Sequence, residues 1–196
     1  MKSLSPITRT LLFANVGAFV IQMLSGEEII YRFALWPWDT PLFHLWQLVT
    51  YGFLHGSLTH LFFNMFALYM FGSEIERVLG TQRYLTYYIT SVVGAAVLHL
   101  LVSQLLGGPL VPTLGASGGV FGLLLAFGMF FPQRRILLLI PPIPMKAWVF
   151  VTLYGLLELA MGVFGTQQGV AHFAHLGGML GGFLLLSYWR AAHRVE

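Results

Sequence analysis

Long apolar runs separated by short polar stretches dominate the hydrophobic pattern of the chain. They predict six helices, over residues 7–24, 58–73, 84–106, 117–131, 147–164 and 173–190. Because a membrane span needs about 20 apolar residues, a chain of 196 residues has room for these spans and little else. The start of the chain is similar to a signal peptide, but residues 23–25 offer no small-residue cleavage site. We therefore expect the first helix to be retained.

Two parts of the chain depart from regular spans. Residues 25–57 carry Pro37 and Pro41 and are rich in tryptophan, which favours the membrane–water interface. The fourth predicted helix is short, since about 15 residues cover about 22 Å against a hydrocarbon core of about 30 Å. Irregular backbone at membrane depth is tolerated only inside protein or beside a water-filled cavity. The pattern thus predicts a large loop after the first helix and a wet indentation at one end of the fourth.

The composition excludes several classes of protein. The hydrophobic share is 57% and the charged share only 9%, whereas a soluble domain is about a quarter charged. A soluble enzyme and a disordered chain are therefore excluded. The net charge of +3 comes from scattered basic residues, so there is no basic stripe for a nucleic acid. The chain has no cysteine, which excludes disulfides, zinc fingers and thiol catalysis.

The distribution of charge predicts the orientation of the helices. Nine of the ten basic residues fall on one side of a six-span arrangement, and only Arg32 falls on the other. The positive-inside rule then places both termini in the cytoplasm, with residues 25–57, 107–116 and 165–172 outside. We expect a single all-α domain over residues 1–196, a polytopic membrane protein with six transmembrane helices.

Polar side chains are few within the predicted helices, and they gather at the outer ends of three of them. His60 and Asn64 lie one turn apart in the second helix, on one face. Ser117 begins the fourth helix, and His172 and His175 begin the sixth. All three helices run inward, so the topology brings these side chains to one depth. Polar groups are costly in a membrane, which makes each of them a functional candidate.

This set of side chains permits acyl transfer. A serine is a weak nucleophile until a base takes its proton, and imidazole, with an ordinary pKa of about 6.5, suits that task. Free backbone N–H groups at the start of the fourth helix favour negative charge beside Ser117. His60 and Asn64 can add two donors to an oxyanion hole, where one well-placed donor is worth about 3–4 kcal/mol.

Glycines four residues apart predict that the fourth and sixth helices approach closely. The pairs are Gly118 and Gly122 on the fourth helix, and Gly178 and Gly182 together with Gly177 and Gly181 on the sixth. Small faces of this kind let two helix backbones come close in lipid. The approach would bring the Ser117 hydroxyl within hydrogen-bond reach of His175.

The remaining ionisable residues are expected to be structural. Glu158 is the only acid in a predicted span, and at mid-helix it is expected to form a helix–helix hydrogen bond rather than to join a triad. His175 would then act without a carboxylate partner, and activity should fall on acidification as its ring takes up a proton. His172 is expected to be structural or to face water at the start of its helix. With no acidic third ligand, His172 and His175 are not expected to bind a metal.

The other histidines are expected to be structural, with His44 and His55 in the outer loop and His99 away from the polar cluster.

Three polar motifs occur in a fixed order between residues 46 and 182. They are the Gly-Ala-Ser-Gly segment at 115–118, the His60-x-x-x-Asn64 pair, and an Ala-His-x-x-Gly segment containing His175. In this order, and on these helices, the motifs resemble the rhomboid family of intramembrane serine proteases. The segment before the second helix is similar too, although Gln47 stands where the family usually has Arg.

The resemblance implies a rhomboid-like bundle with a catalytic dyad of Ser117 and His175, which cleaves a transmembrane helix near its outer end. It implies an oxyanion hole formed by His60, Asn64 and the backbone N–H of Ser117, and an aromatic ring, Phe121, against the catalytic imidazole. The glycines that would support this site are Gly115, Gly118 and Gly178.

The resemblance also implies how a substrate would reach the site. The fifth helix would form a lateral gate, loosely lined by Trp148, Phe150 and Tyr154, with residues 165–172 as a cap. The partners would be transmembrane protein substrates and the lipid bilayer, in the cell membrane of a prokaryote. No metal ion or organic cofactor is implied.

Two other classes stay open at this point. A non-catalytic member of the same fold would bind client transmembrane helices without cutting them. A small transporter or channel would tend to show internal repeats, and residues 1–98 show no similarity to residues 99–196. The chain has no His-Glu-x-x-His motif, which argues against a membrane metalloprotease.

Overall fold

A computed structural model describes residues 3–107, 110–137, 143–164 and 171–192, and most of them are helical. The described residues form eight α-helices: α1 (Pro6–Ser25), α2 (Glu27–Phe33), α3 (Gln47–Thr50), α4 (Leu58–Leu79), α5 (Thr81–Leu106), α6 (Ser117–Phe130), α7 (Ala147–Phe164) and α8 (His172–Ala191). A 3-10 turn at Tyr51–Phe53 follows α3. Strands β1 (Arg135–Leu137) and β2 (Pro144–Lys146) pair antiparallel between α6 and α7.

The six helices predicted from the hydrophobic pattern coincide with α1 and α4 to α8. The second is longer than predicted, because α4 continues past residue 73 to Leu79 and ends at Gly80, whose φ is 76°. The sequence pattern missed α2, α3 and the short β1–β2 hairpin, but the described residues are mostly helical, in line with the predicted all-α class. These elements are short, with seven residues in α2, four in α3 and three in each strand.

Three helices among the described residues are long and apolar enough to cross a membrane, namely α1, α5 and α7. Helix α6 is apolar but has only 14 residues, or about 21 Å. It is surrounded by other helices, since most of its residues are buried. This helix packs closely with α5 and α8, so the bundle has a short helix at its centre.

Close contacts between glycines hold α5, α6 and α8 together. A side chain on Gly178 would overlap the backbone of Gly118, so α6 and α8 approach as predicted. Gly177 and Gly181 face α5 instead, where a side chain on Gly177 would lie 2.6 Å from the carbonyl oxygen of Gly94. Gly182 also faces α5, through Tyr87 and Ser91, so among these four glycines of the sixth predicted helix only Gly178 contacts α6.

Basic residues from distant parts of the chain lie at one end of the bundle. Arg77 and Arg134 both pair with Glu74, each at 3.3 Å. The guanidinium group of Arg190 lies 5.7 Å from the ring centre of Phe130, at the end of α6. Lys2 and Arg194, which were assigned to the same end from the sequence, lie outside the described residues.

A fully buried amide organises the segment between α2 and α4. The side-chain oxygen of Gln47 accepts hydrogen bonds from the backbone of Trp36 and His44, at 3.3 and 3.2 Å. Its nitrogen donates to the carbonyl oxygens of Leu42 and Arg32, at 2.9 and 3.4 Å. Gln47 therefore anchors this loop at the position where the sequence motif departs from the usual Arg.

Candidate active site

Ser117 and His175 meet at the end of the bundle opposite the basic cluster. Ser117 is the first residue of α6, and His175 lies in the first turn of α8. The distance from Ser117 Oγ to His175 Nε2 is 2.9 Å, which is hydrogen-bond geometry. The close contact of Gly118 with Gly178 explains how two side chains this short can meet.

The backbone before α6 is tied to the segment between α1 and α4. Leu35 and Thr113 exchange two backbone hydrogen bonds of 2.9 Å, and the N–H of Gly115 donates to the carbonyl oxygen of Tyr51 at 3.0 Å. Because irregular backbone needs such partners, these bonds fix the direction in which the chain enters α6. They thereby fix the position of Ser117.

Gly115 leaves room for the ring of His60 beside Ser117. Its φ is 139°, a conformation that favours glycine. A Cβ atom on Gly115 would lie 2.7 Å from Cε1 of His60 and 3.7 Å from Oγ of Ser117. The His60 ring and the serine hydroxyl therefore flank the same point in space.

Asn64 lies one turn after His60 on α4 and is buried. Its side-chain nitrogen donates to the carbonyl oxygen of His60 at 3.2 Å. An amide nitrogen carries two hydrogens, so this bond orients the group and engages one of them. Asn64 and His60 thus form one hydrogen-bonded unit beside Ser117.

A cavity of about 1850 Å³ opens beside these residues, where the sequence predicted an indentation. Ser117, His175, His60 and Asn64 all line it, and its other walls are mostly apolar, with side chains of α4 and α7 among them. A pocket for a small molecule is about 300–1,000 Å³. This cavity is therefore large enough for a segment of polypeptide.

Aromatic rings pack against the imidazole of His175. Phe121, one turn after Ser117, stacks on it with ring centres 4.2 Å apart and planes 5° apart. Tyr154 also stacks on Phe121 at 5.2 Å, and Phe150 stacks on Tyr154 at 5.5 Å. Phe150 and Tyr154 also line the cavity, whereas Trp148 does not.

Glu158 lies next to the histidines, and the prediction that no carboxylate is near them was wrong. Its Oε2 atom is 2.8 Å from Nδ1 of His175 and 2.7 Å from Nδ1 of His172. Glu158 is followed by only six further residues of α7, about 9 Å. Since α8 begins with His172, both imidazoles can reach the carboxylate. The expected hydrogen bond between helices is present, and it joins Glu158 to the candidate base, His175.

His172 is buried, and its Nδ1 atom faces Glu158. Glu158, His172 and His175 could hold a metal ion, since one ligand atom of each lies within 4.8 Å of the others. An acidic third ligand, which the sequence did not predict beside these histidines, is thus present. However, both nitrogens are 2.7–2.8 Å from the same oxygen, whereas two ligands of a tetrahedral zinc ion lie about 3.3 Å apart. The three groups form a hydrogen-bonded network.

Two further histidines lie near the cavity. Nε2 of His99 is 2.7 Å from the hydroxyl oxygen of Thr113. His99 lines the same cavity as Ser117, so its expected place away from the cluster was wrong. His55 is fully buried, with its ring 5.1 Å from that of His60, and its ring nitrogens have no partner among the described residues. Burial, helped by the charge of His60, lowers the pKa of His55 to about 4.

The sequence is similar to proteins of a known family. Residues 42–191 match the Rhomboid domain, which is more than half of the chain. The chain belongs to the rhomboid family. With three apolar helices long enough to span a bilayer, this rhomboid is a multi-pass membrane protein.

Three curated relatives resemble this rhomboid over nearly its whole length. It is 30% identical to Rhomboid protein 1, mitochondrial, of Saccharomyces cerevisiae, over 94% of the chain and 59% of the relative. It is 29% identical to Rhomboid protease GlpG of Photorhabdus laumondii, over 97% of the chain and 64% of the relative. It is 27% identical to Rhomboid protease GlpG of Serratia proteamaculans, over 97% of the chain and 65% of the relative. The chain therefore spans about three fifths of the length of these relatives.

The sequence resemblance predicts that residues 165–172 form a cap over the rhomboid site. Residues 165–170, most of the expected cap over the site, lie outside the described residues.

Proposed function

We propose that this rhomboid is an intramembrane serine endopeptidase with Ser117 as nucleophile and His175 as general base. The observation that carries the proposal is the 2.9 Å separation of Ser117 Oγ from His175 Nε2 at the wall of a large cavity. A serine hydroxyl held by an imidazole nitrogen is the basic requirement for an activated nucleophile. The naming of two of the relatives as rhomboid proteases supports the same activity.

In the proposed reaction, Oγ of Ser117 attacks the carbonyl carbon of a peptide bond while its proton passes to Nε2 of His175. The C=O electron pair moves to the oxygen and forms a tetrahedral oxyanion. The imidazolium then returns that proton to the leaving amine nitrogen as the C–N bond breaks. Water, deprotonated by the same imidazole, hydrolyses the resulting ester and frees Ser117.

The oxyanion would accept hydrogen bonds from His60, Asn64 and the backbone N–H of Ser117. The first N–H groups of a helix have no partner within the helix, which supports a donor role for that of Ser117. The contact of His60 with Gly115 and the bond from Asn64 to His60 support the orientation of the other two. Gly118 and Gly178 would act indirectly, by holding α6 against α8.

We propose that the substrate is a transmembrane segment of another membrane protein. The apolar walls that α4 and α7 give the cavity support this class of substrate. We retain the topology of six transmembrane helices within a single domain over residues 1–196, with both termini in the cytoplasm of the cell. The grouping of Arg77, Arg134 and Arg190 at the end opposite Ser117 supports this orientation, with cleavage near the outer membrane face.

The proposal is tested in proteoliposomes with a single-span substrate labelled at both ends. We expect the wild-type protein to release two labelled fragments and Ser117→Ala to release none, with both proteins folded as judged by their thermal unfolding. Cleavage by Ser117→Ala at the wild-type rate would overturn the assignment of the nucleophile. If neither protein cleaves but both retain the substrate, client binding without catalysis takes its place.

A further inference from the structure

The imidazole of His175 is hydrogen-bonded at both nitrogens. Nε2 faces the hydroxyl of Ser117 at 2.9 Å, and Nδ1 faces Oε2 of Glu158 at 2.8 Å. The Glu158 side chain comes from α7, whereas His175 comes from α8 and Ser117 from α6. Three separate helices therefore contribute to one continuous chain of hydrogen bonds.

A carboxylate at Nδ1 decides which ring nitrogen carries the proton. An ionised carboxylate only accepts hydrogen bonds, so Nδ1 of His175 must be the protonated nitrogen. A neutral imidazole has one N–H, so Nε2 is left with a lone pair. That lone pair points at the hydroxyl of Ser117, and this is the tautomer that a general base needs.

His172 holds the carboxylate in place. Its Nδ1 lies 2.7 Å from the same oxygen atom of Glu158, and a carboxylate oxygen has lone pairs enough to accept from both rings. His172 and His175 are one helical turn apart on α8. Since Glu158 is buried, the two imidazole N–H groups are the partners that compensate its burial.

We propose that Glu158 is a positioning residue for His175, so that the reactive unit is a Ser117–His175–Glu158 triad braced by His172. This inference rests on the proposed function, because it concerns the base of that same reaction. When His175 takes the serine proton, the ring becomes a cation with N–H groups at both nitrogens. Glu158 stays ionised and stabilises that cation, and no proton passes to the carboxylate.

Other titratable groups near His175 do not offer the same support. The groups that interact with His175 or Glu158 from the neighbouring helices are Tyr154 on α7, His172 on α8, His60 on α4 and His99 on α5. None of these is a carboxylate. Among the described residues, Glu158 is thus the one anion in contact with the proposed base.

The first test replaces Glu158 with glutamine, which keeps the size of the side chain and removes its charge. In proteoliposomes, we expect Glu158→Gln to lower kcat about 100-fold or more while KM changes by less than about twofold. We expect the acid limb of its kcat/KM profile to move to lower pH, because the charge that favours the protonated ring is lost. A purely structural role for Glu158 would not move that limb.

The matched control is Glu76→Gln, which removes an equally buried carboxylate at the other end of the bundle. Its kcat should equal that of the wild type once the folded fraction is corrected for. Equal losses of kcat in the two variants would overturn the inference, since any buried carboxylate would then have the same effect.

A second pair of variants keeps the inference testable if Glu158→Gln fails to fold. In His172→Asn, the amide nitrogen can stand in for Nδ1 and donate to Glu158, whereas His172→Leu has no donor. We expect His172→Asn to retain most of kcat and His172→Leu to lose about tenfold. Equal activity of the two variants would overturn the bracing role of His172.

The rate at which a fluorophosphonate labels Ser117 separates this inference from the proposed function. We expect rapid labelling of the wild-type protein and labelling about 100-fold slower in Glu158→Gln. Labelling of folded Glu158→Gln at the wild-type rate would overturn the triad and leave the proposed function standing. A folded wild-type protein that is not labelled at Ser117 would count against the proposed function itself.

Discussion

Two glutamates, equally buried at opposite ends of the bundle, have very different partners. Glu76 and Glu158 are 3% and 4% exposed. Glu76 accepts hydrogen bonds from the backbone N–H groups of Ile7 and Thr8, at 3.0 and 2.8 Å, and from the Thr8 hydroxyl at 2.8 Å. Glu158 instead faces two imidazole nitrogens, at 2.7 and 2.8 Å.

The difference lies in what the partners can do. The N–H groups that bind Glu76 belong to the first turn of α1, where free donors and the helix dipole favour a negative charge. These donors never change their protonation state, so the contact ties α1 to α4 and does no more. Imidazoles can gain and lose protons near neutral pH, so the Glu158 contact can take part in a reaction. We therefore expect substitution of Glu76 to change stability and substitution of the polar groups around Ser117 to change rate.

The largest effect is expected from removing an oxyanion donor at the reactive end. His60→Ala and Asn64→Ala should each lower kcat by about 100-fold or more, equivalent to about 3 kcal/mol of transition-state stabilisation. Neither change should lower the unfolding temperature as much as Glu76→Gln does. Single-turnover cleavage in proteoliposomes measures the rate. A rise in KM with kcat unchanged would show that these side chains bind substrate only.

Disrupting the close packing of α6 against α8 should lower both the stability of the protein and its rate of cleavage. In Gly178→Ala the new methyl group would overlap the backbone of Gly118 and push Ser117 away from His175. We expect a loss of about 3 kcal/mol in the free energy of unfolding and a loss of cleavage. Gly17→Ala is the matched control, because nothing lies within 4 Å of the added atom. It should be neutral or slightly stabilising, and equal losses in both variants would contradict the packing argument.

Glu76→Gln is expected to affect stability alone. The amide keeps one acceptor oxygen but loses the charge that the start of α1 favours, which should cost about 2 kcal/mol. Thermal unfolding in detergent, followed by tryptophan fluorescence, measures this loss. A large drop in kcat without a change in stability would contradict the claim that Glu76 stabilises the fold and takes no part in the reaction.

The smallest effect is expected from the buried His55. Its pKa is about 4 in the folded protein, below the ordinary value of 6.5, because burial disfavours the charged ring. The unfolded chain therefore binds the extra proton first, so His55 destabilises the fold as the pH falls from about 6.5 to about 4. At pH 5.5 the cost is on the order of 1 kcal/mol. The unfolding temperature of His55→Leu minus that of the wild type should be larger at pH 5.5 than at pH 8. An identical pH dependence would contradict this account of His55.

The sequence was most informative where local patterns determine structure. Apolar runs were sufficient to locate α1 and α4 to α8, and the positions of Ser117, His60 and His175 at the starts of helices predicted that they would meet. The spacing of Gly118 and Gly178 gave a physical reason for that meeting, and their contact in the structure agrees with it.

The parts that were missed depend on contacts between distant residues. The apolar pattern places Glu158 in mid-helix, but the start of α8 so soon after α7 brings two imidazoles to it. The sequence does not show the contact of His99 with Thr113, because Thr113 lies in an irregular segment that no periodicity describes. Gln47 likewise makes four hydrogen bonds to a loop whose path the sequence does not show. One signal was available, since a lone acid in an apolar helix requires a partner.

The most direct test of the central claim is to map the serine that a fluorophosphonate modifies in the wild-type protein, by mass spectrometry of its peptides. The account predicts a single modified residue, Ser117, and no modification in His175→Ala, because the hydroxyl needs the imidazole to lose its proton. Modification of a different serine, or equal modification of Ser117 in His175→Ala, would contradict the claim that these two residues form the reactive centre.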